Sequence, residues 1–433
     1  MKFSLVNPKW DFTGSTYFGC RDPHLPLELM FARDQILAAG HEAQLLDAHM
    51  NNFSLDQVRH KVEGFEPDFL VVPTAPTYLF WRCPPPELRI PMEWIRALGA
   101  ESVKVIIGPH ASSTPAAAVR KTGCDVALRG EPDQTLIELA TKPWQEIAGC
   151  CFRRDNDDGL HVSPSLGVAD MTLLGALDFE GYRLEAHRHR HHVFTRDRGL
   201  GAELEFARGC PWSCTFCNKS LFRNRFRERS VEAVLAEVDS VVARGVDYIY
   251  FIDEIFGVGR NVRTLLEGIA QRPVRIGMQT RIDLWDEETL QLLADAHCIS
   301  MECGIESISH AGREQLNKNC HIDTDRINEL LLLARRRIPW VQANLVLTEK
   351  DDRARIRQWQ EYLRHRGVWA SEPVPMFPYP GSPLYTQTFG APPDDEAWER
   401  AHSYYTSVFA GKDYSDIQEQ EPLPLGELEK CIS

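Results

Sequence analysis

Over residues 1–140, short apolar runs alternate with stretches in which apolar residues recur every three to four positions. The runs FSLV, AQLLD, DFLVV, VKVIIG and DVALRG have the length and branched content of buried strands. Helical patterns separate them, and LPLELMFARDQILAAG ends on Gly40, a natural helix terminator. Five such βα units predict a doubly wound parallel sheet. The alternation breaks over 141–200, where IAGCCFRRDNDDGLHVSPS predicts a hairpin turning at Asp158–Gly159 and ADMTLLGALDFEGYR an extended connector. It resumes with AELEFA, DYIYFID, VRIGMQT, CISMECG, VQANLVLT and VWASEPVPMF as strands, with a first helix capped by Ser230. Six βα units predict a partial or closed (β/α)6 barrel, whose chemistry belongs at the carboxyl ends of its strands. The chain thus reads as an α/β protein. Its parts are a doubly wound Rossmann-like domain (1–140), a hairpin and linker (141–200), a barrel (201–390) and a helical extension (391–433) expected to close the barrel.

Composition narrows the setting. A net charge of -14 over 433 residues disfavours nucleic acid and anionic membrane as partners. Arg223, Arg225, Arg227 and Arg229 form a local basic run, read as a solvated face or an anion clamp. No apolar stretch approaches the ~20 residues of a membrane span. The N-terminus reaches Pro8 and Trp10 before a signal-peptide core could form, so a cytoplasmic location is expected. Twelve cysteines in such a chain point to metal or redox chemistry rather than disulfides. Cys20, Cys83, Cys124, Cys298, Cys303, Cys320 and Cys431 stand apart and read as buried structural thiols. Cys150 and Cys151 are neighbours on a strand and should face opposite ways. The histidines at 187, 189, 191 and 192 are interleaved with arginines that would repel a cation, so they read as surface.

The first domain has no G-x-G-x-x-G after its first strand and no P-loop, which withdraws support from dinucleotide and nucleotide-triphosphate readings. A ligand there would sit in the loops NPKWDFTG, PTAPTYLFW, GPHASS and RGEPDQ that follow the strands. The second domain carries the sharper signal. ARGCPWSCTFCNK, residues 207–219, places Cys210, Cys214 and Cys217 in the loop after the barrel's first strand, spaced C-x3-C-x2-C. Thiolates are the usual ligands of iron–sulfur clusters. A cubane on three cysteines leaves one iron open, much as catalytic zinc keeps an open position. A zinc site completed by a distant histidine is the competing reading. Later strand ends bring Asp253–Glu254, Gln279, Arg281, Glu306–Ser307 and Asn344 to the same end. Singly these read as helix caps and ion pairs, and jointly as a ligand pocket.

This spacing at the end of a first barrel strand resembles the radical S-adenosylmethionine superfamily. The stretches GPHAS…DVALRGEPDQTL and LPLELMFARDQILAAGHEAQLLDA resemble the cobalamin-binding domain that precedes many of its barrels, the alternative being a flavodoxin-like domain without a corrin. The resemblance covers roughly 1–140 and 200–390, including PYPGSPLY at 378–385. It implies a [4Fe-4S] cluster on the three cysteines, with Phe216 against the adenine of S-adenosylmethionine. It further implies that Asp253 and Glu254 receive the methionyl ammonium, Arg281 the methionyl carboxylate, and Glu306 and Ser307 the ribose, with Gln279 and Asn344 beside them. Thr74, Gly108, His110, Ser112, Gly130 and Glu131 would line a cobalamin. Two departures stand out. DPHLPL has Leu27 where the D-x-H-x-x-G motif has glycine, so His24 is not expected to ligate cobalt, and NLVLTEKDD lacks the usual Gly-x-P-x-E-T near Asn344. The implied activity is methylation of an unactivated carbon of a small-molecule, lipid or sugar-containing substrate, with electrons from a flavodoxin or ferredoxin. Rearrangement, cyclisation or oxidation with the same cofactors stays open, as does a non-catalytic iron–sulfur or zinc protein.

Overall fold

The structure, a computed structural model, describes residues 1–15, 23–77, 84–99, 101–154, 159–184, 200–409 and 424–429. Contacts divide it into two units. The first comprises Met1–Leu177, Cys217–Asn224 and Phe377–Ser433, and the second Asp178–Phe216 and Arg225–Met376.

The first unit is built on a seven-stranded sheet. Its strands are β1 (Lys2–Asn7), β2 (Glu42–Asp47), β3 (Phe69–Pro73), β4 (Val103–Ile107), β5 (Val126–Leu128), β6 (Cys150–Arg153) and β7 (Leu160–Val162), in the order β2-β1-β3-β4-β5-β6-β7. β1 to β5 are parallel, as the alternating pattern predicts, and every residue of β3 is buried because helices cover both faces. The hairpin β6–β7 adds two antiparallel strands to the edge, so it belongs to this sheet rather than to a linker.

The C-terminal extension also packs within this unit. Trp398, on the helix Ala397–Phe409, stacks on His110 with ring centroids 3.9 Å apart and donates from Nε1 to Thr114 Oγ1 at 3.0 Å. Lys121 pairs with both Glu399 and Glu429.

The second unit holds a six-stranded parallel sheet in the order β15-β14-β13-β12-β11-β8. These are β8 (Leu200–Leu204), β11 (Val246–Phe251), β12 (Arg275–Thr280), β13 (Cys298–Glu306), β14 (Trp340–Leu345) and β15 (Trp369–Ala370). The short strands β9 (Ala207–Arg208) and β10 (Arg227–Glu228) form a separate antiparallel ribbon. One face of the sheet is apolar, with Ile276, Met278, Met301, Val341 and Ala343 buried. The other carries Glu203, Tyr250, Gln279, Glu302, Gln342 and Asn344, with Tyr250 donating to Glu302 at 3.3 Å. Successive residues of a strand alternate faces, so this polar row follows from sequence period alone.

Two of the four arginines in the basic run are not on a solvated face, while Arg225 is exposed and Arg227 half-buried. Arg223 and Arg229 are each 1% exposed. Arg223 pairs with Glu28 in the first unit, and Arg229 pairs with Glu237 while donating to the Glu205 carbonyl at 2.7 Å in the second. Among the isolated cysteines, Cys124, Cys298, Cys303 and Cys320 are buried as expected, and so are Cys150 and Cys151. Cys20, Cys83, Cys431 and the four histidines at 187–192 lie outside the described residues. No described helix is long and apolar enough to cross a membrane.

Candidate functional site

The parallel pairing of β8 with β11 ends at a bond from the Ile252 N–H to the Leu204 carbonyl, 3.0 Å. Beyond it the chain leaves the sheet and enters the cysteine loop. Asp253 accepts the Phe206 N–H on Oδ1 at 2.9 Å and the Ala207 N–H on Oδ2 at 3.0 Å. Glu254 accepts the Gly209 N–H at 2.8 Å. Gly209 has φ 85, the left-handed conformation that turns the chain into Cys210 and suits glycine. Cys210, Cys214 and Cys217 follow, all half-buried, as is Phe216 between the last two.

The middle of the loop is held from the opposite side. The Thr215 N–H donates to the Leu316 carbonyl at 2.9 Å, and Asn317 Nδ2 donates to the Ser213 carbonyl at 2.8 Å. Trp212 lies over the Arg281 guanidinium, 4.3 Å from ring centroid to carbon. Burial raises the Cys214 thiol, Lys318 and Arg281 draw it down, and Glu306 opposes them. Cys214 thus feels two cations, Lys318 and Arg281, and one carboxylate, Glu306.

Several expected ligand contacts have other work. Arg281 makes a two-pronged bond to Asp283, Nε at 3.0 Å and Nη2 at 2.6 Å, and donates to the carbonyls of Lys318 at 2.7 Å and Asn319 at 3.2 Å. So engaged, it anchors the loop through Trp212 and is not poised for a methionyl carboxylate. Asp253 has both oxygens on backbone N–H groups and is not poised for an ammonium. Ser307 is buried and bonds the Ser309 carbonyl at 3.1 Å, closing the turn into the next helix rather than facing a ribose. Gln279 and Asn344 do lie on the polar face, where Asn344 accepts from Gln342 at 2.7 Å. Glu306 ends β13 with φ 68, a conformation costly for a residue with a side chain, and pairs with Lys318 at 3.1 Å. Lys318 is the residue that the sequence reading missed. Its signal is the run Asn317-Lys318-Asn319, whose asparagines both adopt positive φ and so turn the lysine inward.

In the first unit the six expected corrin contacts largely knit the loops to one another. Thr74 Oγ1 donates to the Ile107 carbonyl at 2.9 Å and accepts the His110 N–H at 3.3 Å. Ser112 Oγ donates to the Gly108 carbonyl at 2.8 Å and accepts the Gly130 N–H at 3.0 Å. Glu131 accepts the Ala169 N–H at 2.8 Å and faces Arg223 at 3.8 Å. Gly130 is small because the connector passes over it: a Cβ there would stand 2.3 Å from the Gly167 carbonyl oxygen. Thr74, Ser112, Gly130 and Glu131, expected to line a ligand, also join these loops to one another. Gly108, at φ 104, caps the helix Pro109–Ser113. His110 differs. Its Nε2–H donates to the Pro85 carbonyl at 2.9 Å, which leaves Nδ1 a buried acceptor without a partner among the described residues. Burial pulls this imidazole down to about 3, so it stays neutral.

Among the described residues no three His, Cys, Asp or Glu side chains converge as they would on a single metal ion.

Residues 204–359 match the family model of the Radical SAM superfamily. An anaerobic magnesium-protoporphyrin IX monomethyl ester cyclase from Rubrivivax gelatinosus is 23% identical over 75% of this chain and 59% of its own. A hopanoid C-3 methylase from Methylococcus capsulatus is 27% identical over 77% of this chain and 64% of its own. The chain thus spans about three fifths of the length of these relatives. The radical S-adenosylmethionine methyltransferase TsrM from Kitasatospora setae, solved with cobalamin and a [4Fe-4S] cluster bound, shares the fold with a TM-score of 0.71 at 18% identity. That likeness covers 88% of this chain and 76% of TsrM.

Proposed function

From a chain whose residues 204–359 are a Radical SAM superfamily domain, we propose a cobalamin-dependent radical S-adenosylmethionine enzyme that methylates an unactivated carbon of a small molecule. One observation carries this reading: three half-buried thiols in one loop at the end of β8, secured by backbone bonds on both sides, with Lys318 and Arg281 beside Cys214. This donor set fits a [4Fe-4S] cluster, being all thiol, three in number and close to cations that offset cluster charge. Bound there, the cluster supplies the electron that cleaves S-adenosylmethionine, and cobalamin supplies the carrier of the methyl group.

The chain's own residues do the positioning. Lys318 is the buried cation available to a methionyl carboxylate, and Glu306 the acceptor for ribose hydroxyls once that pair exchanges partners. Gln279, Glu302 and Asn344 give the polar face acceptors and donors for a small-molecule, lipid or sugar-containing substrate. In the first unit, His110 Nδ1 is a neutral acceptor suited to the amide side chains of a corrin. An external one-electron donor such as a flavodoxin or ferredoxin completes the system.

The methylase and TsrM support methyl transfer, while the cyclase favours a second reading, the same cofactors used for cyclisation. Anaerobic reconstitution with reductant, cobalamin and S-adenosylmethionine separates the two. Methylation requires one adenosylhomocysteine per bound cobalamin beside 5′-deoxyadenosine. 5′-Deoxyadenosine alone would favour cyclisation, and failure to retain cobalamin would remove both readings.

A further inference from the structure

We infer that Asp253 is a positioning residue that carries the pairing of β8 past the end of the strand and fixes the backbone leading into Cys210. The inference rests on the cluster reading above. The last backbone bond between the two strands joins Ile252 to Leu204. After it, the N–H groups of Phe206 and Ala207 have no strand beside them on that edge. Asp253, the next residue after Ile252, supplies one carboxylate oxygen to each, at 2.9 and 3.0 Å. Glu254 then takes the Gly209 N–H at 2.8 Å. Three amides within four residues are held by two consecutive side chains, and the first cysteine follows directly.

The opposite edge of the same segment is closed by the ribbon. Arg208 pairs with Arg227 and Ala207 with Glu228, and the Arg229 N–H donates to the Phe206 carbonyl at 2.9 Å. Residues 206–208 are thus fixed from both sides before any cofactor arrives. A carboxyl group suits this on the Asp253 side, where burial and the neighbouring Glu205 and Glu254 hold it well above the usual carboxylate range and the two N–H bonds oppose that rise. It offers two acceptors at the spacing of successive N–H groups, whereas an amide offers one oxygen and turns an NH2 on the other donor. The group is 1% exposed, and a buried carboxylate is tolerated where such bonds satisfy it. A cluster on three thiols needs its ligands held to a fraction of an ångström, so slack here is felt at Cys210.

The test is Asp253→Asn in the full chain, reconstituted anaerobically beside the parent. Iron and acid-labile sulfide per chain and the low-temperature EPR spectrum of the reduced cluster are read with and without S-adenosylmethionine. The expected result is a several-fold loss of iron, or displaced g values before any S-adenosylmethionine is added. A residue that merely stabilises the fold would lower the melting temperature and leave the g values alone, which would overturn the inference. So would parental iron and spectrum with only the S-adenosylmethionine-induced change lost, since Asp253 would then be a ligand contact. If the variant does not fold, hydrogen exchange in the unmodified apo-protein decides. Slow exchange at the Phe206 and Ala207 amides is required, and exchange as fast as in an exposed loop contradicts it. A parent chain that takes up no cluster would refute the cluster reading, while the exchange result would still report on Asp253.

Discussion

Lys318 and Arg281 are both cations near Cys214, and their bonding gives them opposite roles. Arg281 is anchored by a carboxylate and two carbonyls, whereas Lys318 pairs with one carboxylate among the described residues, Glu306, at 3.1 Å. Lys318→Met is therefore expected to weaken S-adenosylmethionine about ten-fold or more in equilibrium dialysis, the scale of one charge-assisted bond. Binding of 5′-methylthioadenosine, which has no carboxylate, should change little. Arg281→Lys keeps the charge but loses the two-pronged bond to Asp283, so it should lower iron uptake more than S-adenosylmethionine affinity. At this scale the sequence displays the spacing of the three cysteines, and the structure holds all three half-buried in one loop. The bonds that Asp253 and Ser307 make to backbone groups, and that Arg281 makes to Asp283 and two carbonyls, are ones a sequence does not display. A separate residue, Glu87, gives a pH signature. It is buried in the first unit with a bond from Ser15 Oγ, and burial raises it to about 7 from 4.5. Its contribution is fully present below pH 4.5 and is lost as pH rises through about 7. Glu87→Gln should thus stabilise the protein by up to roughly 3 kcal/mol at pH 8 and little at pH 4, read by urea unfolding at both pH values.

Strands and helices were read from period and length, and the parallel strands β1 to β5 and the six-stranded sheet follow that reading. The destination of the C-terminal helix did not. The stacking of Trp398 on His110 joins residues far apart in sequence, and no local pattern announces such a contact. Trp398→Ala removes that stack and the bond to Thr114, and is expected to cost about 3–5 kcal/mol, seen as an earlier thermal transition. The Gly130 loop is similar in kind: its glycine looked like room for a ligand and proves to be room for the connector at Gly167. Gly130→Ala adds a Cβ at φ 82 against a carbonyl, so a loss of roughly 2–4 kcal/mol is expected in chemical denaturation, whether or not cobalamin is present.

For the whole molecule, the two units were legible as two rhythms of βα alternation separated by a break. Their memberships were less so: the hairpin β6–β7 and the described part of the extension both fall in the first unit. The central claim concerns the loop at Cys210, Cys214 and Cys217, and one measurement tests it most directly. The anaerobically reconstituted, reduced protein is incubated with S-adenosylmethionine and assayed for 5′-deoxyadenosine, beside a variant with all three cysteines changed to alanine. The account predicts 5′-deoxyadenosine from the parent chain and none from the variant. Equal product from both, or none from a parent that holds its iron, would contradict it.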